Sequence, residues 1–144
     1  MLTQENNDLL LEIHRAATMG QQAIEMVLPK TENPKLKEKI ESQENAYGRI
    51  AMQAARMLSE NDITPEKQPL MQKMGQWFGI RKETMQDHSS SRIAEMMIQG
   101  SGMGITDITK KLNALSEADA GARELAEEYL DCENKHIESM KKYL

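Results

Sequence analysis

AATMGQQAI, Ala16 to Ile24, returns as GSGMGITDI, Gly100 to Ile108, with Met-Gly and a closing Ile in register. A second stretch, LKEKIESQENAY (Leu36 to Tyr47), returns as LAEEYLDCENKH (Leu125 to His136). The order of the segments repeats as well, so one helical hairpin stands twice in the chain as two drifted copies. Two such hairpins build a four-helix bundle. The expected fold is therefore all-α: two related hairpins and a long crossover that holds a short extra helix, forming a single domain over residues 1–144.

Working outward, the first helix is expected from Asn7 or Asp8 to Leu28, with Leu9, Ile13, Ala16, Gly20, Ala23 and Val27 on one stripe. Pro29 stops it. Asn33 caps the second helix and Pro34 takes its first turn, where a missing N–H costs nothing. That helix carries Leu36, Ile40, Tyr47, Ala51, Ala54 and Leu58 inward and ends between Ser59 and Asp62. The segment from 63 to about 90 holds Pro65, Pro69 and the apolar cluster around Trp77 and Phe78, which marks it as a crossing element with an interaction surface at those two rings. The residues DHSSS, Asp87 to Ser91, offer caps for a third helix through Leu112. A fourth starts at Asp119 and places Leu125, Tyr129, Cys132, His136, Met140 and Tyr143 on one side.

Composition narrows the function classes. Aromatic residues are 3% of the chain and methionines number 12, so Leu, Ile, Ala and Met must fill the core. The net charge of −5 is unsuited to a phosphate backbone, so no nucleic-acid partner is expected. Cys132 is the only cysteine, which rules out an intrachain disulfide. No run reaches membrane-spanning length, and MLTQENND lacks the basic and apolar regions of a signal peptide, so the expected setting is the cytoplasm without a membrane partner.

Two constellations bear on chemistry. Gly100, Gly102 and Gly104 interrupt the third helix, and each costs up to about 1 kcal/mol against Ala. Ala16 and Gly20 answer Gly100 and Gly104 in the first copy, which suits a backbone-to-backbone contact between helices one and three at these four residues. A local cavity for a ligand is the other reading. The second constellation is Glu133-x-x-His136, whose carboxylate and imidazole share a helix face and could meet one metal ion. Glu44 matches Glu133 in the repeat, but Tyr47 stands where a second His would be, and a neutral phenol is a poor ligand. Glu12 and Glu95 align with Met96 and Leu11 and offer no symmetric pair.

The two hairpins, the long connection and the segment ENPKLKEKIESQENAY resemble the ferritin-like superfamily, in particular small rubrerythrin-like or spore-coat-like bundles. The resemblance covers most of the chain through its architecture. It implies a bundle whose relatives hold two irons for ferroxidase or peroxide chemistry. Glu44, Glu133 and His136 fall where such ligands would be, while Tyr47 and the small residues of helices one and three depart from the pattern. The leading expectation is thus a ferritin-like bundle without a complete di-metal site or other cofactor, serving as a structural or interaction module with a protein partner or as a homo-oligomer. A di-iron or di-manganese oxidoreductase or iron-handling protein is the alternative, and a carrier of a small apolar ligand beside the glycines is a third.

Overall fold

The computed structural model describes residues 4–66 and 87–144. Within them the chain forms four long helices, α1 (Gln4–Val27), α2 (Pro34–Ser59), α3 (Ser90–Ala114) and α4 (Ala120–Lys141), with one short 3-10 turn at Leu28–Lys30. No strand occurs among the described residues. The all-α expectation holds; the extra helix and the Trp77–Phe78 surface lie outside the described residues.

Local chemistry sets the boundaries. Asn33 Oδ1 accepts from the backbone N–H groups of Lys35 at 2.9 Å and Leu36 at 3.1 Å, with Pro34 at the first helical position. Ser89 Oγ accepts from Arg92 N at 3.2 Å, and Asp119 Oδ1 accepts from Ala122 N at 2.9 Å. Each such cap is worth about 1 kcal/mol because it satisfies a donor that the helix leaves open. Pro29 ends α1 in the 3-10 turn, and the Thr31 hydroxyl donates back to Val27 O at 2.8 Å. α1 therefore starts three residues earlier than the expected Asn7 and ends at Val27.

Cross-links at one end give the helix directions. Asn61 donates to the Asn7 side chain at 2.9 Å, Asp119 N to Asn6 at 3.2 Å, and Glu117 N to Glu5 at 2.7 Å. The start of α1, the end of α2, the end of α3 and the start of α4 thus share one end. It follows that α1 and α4 run one way while α2 and α3 run the other. α1 packs on α2 and α3 on α4, and the hairpins meet through α1 against α3 and α4 and through α2 against α4.

Between the helices lies a core of Leu, Ile, Ala and Met, in which Tyr47 and Tyr129 are the fully buried rings among the described residues. Their centroids are 6.4 Å apart at an interplanar angle of 30°, within the range of favourable ring pairs. The glycines make room for them. A methyl group added at Gly20 would stand 2.5 Å from the Tyr47 ring, and one at Gly104 would collide with the Tyr129 hydroxyl. Each hairpin thus seats the tyrosine of its second helix on a glycine of its first. Gly20 and Gly104 thus serve rings within each hairpin, a role the sequence reading did not assign them, while Ala16 and Gly100 are buried small residues one turn away. A glycine costs about 1 kcal/mol, and burying a large side chain contributes about 1.5–3 kcal/mol, so the exchange favours the ring.

A methyl group added at Gly102 would meet nothing within 4 Å among the described residues. Gly102→Ala should therefore raise stability by up to about 1 kcal/mol, whereas Gly20→Ala and Gly104→Ala should each lower it by about 1–3 kcal/mol through overpacking. Denaturant unfolding of the three variants checks the contrast; equal effects at Gly102 and Gly104 would contradict the seating of the rings.

Candidate functional site

The side chains that converge at the centre of the bundle do so on Glu133. Its carboxylate is fully buried, carried inward by α4 one turn beyond Tyr129. Oε1 accepts from Gln43 Nε2 at 2.9 Å, from the Tyr47 hydroxyl at 2.5 Å and from the Ser101 hydroxyl at 3.1 Å. Oε2 accepts from the Tyr129 hydroxyl at 2.9 Å. Gln43 and Tyr47 lie on α2, Ser101 on α3, and Tyr129 on α4, while α1 contributes the Gly20 seat under Tyr47. All four helices therefore meet at one carboxyl group. Gln43 is itself fixed, since its Oε1 accepts from the Cys132 thiol at 3.8 Å.

Every one of the four donors is neutral. Burial pushes the Glu133 carboxyl up to about 7, and the hydrogen bonds from Tyr47, Tyr129, Ser101 and Gln43 restrain that rise without cancelling it. Oε1 takes three of the donors and Oε2 one. Burial, and after it the Glu133 charge, holds both tyrosines well above their ordinary range. The same two causes, in the same order, raise the Cys132 thiol to about 11. One turn beyond Glu133, burial lowers His136 to about 4, so its imidazole is neutral at pH 7. The Nε2 atom of His136 is buried and has no hydrogen-bond partner among the described residues.

The residues expected to bind metal are placed differently from one another. Glu133 and His136 are both buried on α4. Glu44 is half-buried, and burial with the Glu25 and Glu41 charges raises its carboxyl; its neighbour Gln43 is the residue that reaches Glu133. Glu12 pairs with Arg15, and the exposed Glu95 pairs with Arg92 at 3.4 Å. Among the described residues no three His, Cys, Asp or Glu side chains come together as a metal-binding group. The tyrosines and their glycines also reset the repeat. Matching Tyr47 with Tyr129 sets Glu133 against Ala51 and His136 against Ala54, so the second hairpin carries polar groups where the first carries methyls.

Sequence reading missed Gln43, Tyr129 and Ser101 as partners of Glu133. A signal was present: two tyrosines on otherwise apolar stripes need acceptors for their hydroxyls, and Glu133 lies on the same stripe as one of them. Chemically the centre is closed. A carboxyl group with no exposure and four internal donors cannot touch a substrate without opening the bundle. Outside it, between α2 and α4, runs a groove of about 400 Å³ lined by Lys39, Gln43, Arg49, Cys132, Lys135 and His136, among others. No helix of the described residues is long and apolar enough to cross a membrane. Compared with known proteins, the chain matches no family model, no curated protein and no solved structure.

Glu133 and His136 give opposite pH dependences. The folded carboxyl sits near 7 against 4.5 unfolded, so its contribution is greatest below pH 4.5 and is lost as pH rises toward 7. The folded imidazole sits near 4 against 6.5, so its contribution is present above pH 6.5 and is lost on acidification. Each amounts to about 3 kcal/mol, and between pH 6.5 and 4.5 they offset. Thermal melts should show little change for the wild type in that window. Glu133→Gln should lose stability on acidification and His136→Phe should gain it; parallel slopes for the two variants would contradict the assignment.

Proposed function

We propose that the protein is a four-helix bundle of ferritin-like topology that works without a di-metal centre, as a structural or protein-interaction module. The observation that carries this reading is the set of four neutral donors that the chain itself directs at Glu133. A metal ion would have to displace the donors that Gln43, Tyr47 and Ser101 place on Oε1 or share Oε2 with the Tyr129 hydroxyl. The topology is supported by the shared direction of α2 and α3. Helices that run the same way need a connection along the bundle, about 37 Å for a helix of the length of α3, and the chain between α2 and α3 is long enough to supply it. On sequence grounds, the partner-contacting segment of the module is the one around Trp77 and Phe78.

The unpartnered imidazole of His136 favours a second reading, a di-iron or di-manganese protein with a non-standard ligand set. Metal analysis of untagged protein purified without chelator separates the two. Well below one equivalent of iron or manganese is expected, with the same folded state in Glu133→Gln. Near two equivalents in the wild type, lost in Glu133→Gln, would overturn the metal-free reading.

A further inference from the structure

We propose that the face formed by α2 and α4 binds a second copy of this chain, giving a dimer whose two-fold axis runs along the groove between these helices. The chain leaving α2 turns to the opposite side of the bundle, where Ile63, Pro65 and Glu66 line a pocket with Leu11, His14 and Lys111 of α1 and α3. On the α2–α4 side, two grooves of about 400 and 510 Å³ follow one another and share Arg49, Ile50 and Glu128. Met52 stands in the second of them and, at 65%, is the most exposed large apolar side chain among the described residues. A face about 33 Å long and about 20 Å wide buries roughly 600 Å² per copy, or about 1,200 Å² in total, within the range of specific interfaces.

The charges of this face complement a second copy of itself. Arg49 and Arg56 line the α2 wall, Glu124, Glu128 and Asp131 line the α4 wall, and all five are exposed. None of the five forms an ion pair among the described residues. A two-fold axis along the groove sets α2 of one copy over α4 of the other at the same height. Arg49 then meets Glu128 of the second copy and Arg56 meets its Glu124, each contact being made twice. Met52 comes down on the hollow that Gly121 and Leu125 of the second copy line at that height, and its burial adds an apolar contribution. An axis across the helices would instead set α2 on α2 and arginine against arginine, so the charges select the orientation as well as the partner. Lys39 and Lys135 share the far end of the groove, where their stems can follow the rim and keep both ammonium groups in water. Such pairing names the partner of the interaction module and rests on that reading of the chain.

The test is sedimentation velocity of the untagged full chain at low ionic strength, read as mass against concentration, with metal content measured on the same samples so that the subunit count and the metal-free reading can fail separately. The wild type should be a dimer in the micromolar range. Met52→Asp, Arg49→Glu and Glu128→Arg alter exposed side chains, so each should keep its helical circular dichroism while weakening the dimer by about tenfold or more. An equimolar mixture of Arg49→Glu with Glu128→Arg should regain the dimer, because both contacts of the mixed pair then join opposite charges. A monomer at every concentration, single variants that dimerise like the wild type, a mixture no tighter than its components, or loss of the dimer in a folded Trp77→Ala variant would each overturn the proposal.

Discussion

A carboxyl group buried with no cation against it among the described residues is the constraint around which this bundle is arranged. Taking Glu133 out of water costs several kcal/mol unless hydrogen bonds replace the lost solvent. The chain supplies four of them from three helices, and the fourth helix contributes through the glycine under Tyr47. Any shift of one helix along another would strip a donor from the carboxyl, and an unsatisfied buried group is more costly than a made hydrogen bond is stabilising. The polar centre therefore specifies register in a core of Leu, Ile, Ala and Met that would otherwise tolerate sliding.

The glycines and tyrosines follow from the same requirement. To deliver a hydroxyl to the bundle axis, a phenol ring must lie across the interior, and the backbone it crosses can carry no side chain. Gly20 and Gly104 meet that need in the two hairpins. The rings close the space that the missing side chains leave, so the polar centre is surrounded by packed apolar surface. That dryness is what lifts the carboxyl toward 7 and drives the nearby imidazole down to about 4. Two groups one turn apart, both driven toward their neutral forms, thus give pH dependences of opposite sign that offset in the stability of the whole.

Features set by local chemistry were legible in the sequence. Asn33, Ser89 and Asp119 cap their helices because their side chains reach the open N–H groups two or three residues on, whatever the tertiary packing. The apolar stripes likewise place Leu9, Ile13, Ile40, Leu58 and Leu125 in the core. The register of the repeat was harder. The match of Glu44-Asn45 to Glu133-Asn134 rests partly on Asn45 and Asn134, which are exposed and carry no packing constraint. Shifting attention by one residue, from Glu44 to Gln43, turns the side chain by about 100° around the helix and finds the true neighbour of Glu133. The glycines were recognised as needing a reason, but whether a ring or a backbone would fill the gap depends on contacts between helices that periodicity does not encode.

The most direct measurement is an NMR titration of the Glu133 side-chain carboxyl in the intact chain, assigned by comparison with Glu133→Gln. A buried carboxyl held by neutral donors alone should titrate with a midpoint near 7, well separated from the exposed glutamates. A midpoint at or below 4.5 would mean that Glu133 is solvated or paired with a positive charge, and the arrangement described for the bundle centre would be wrong.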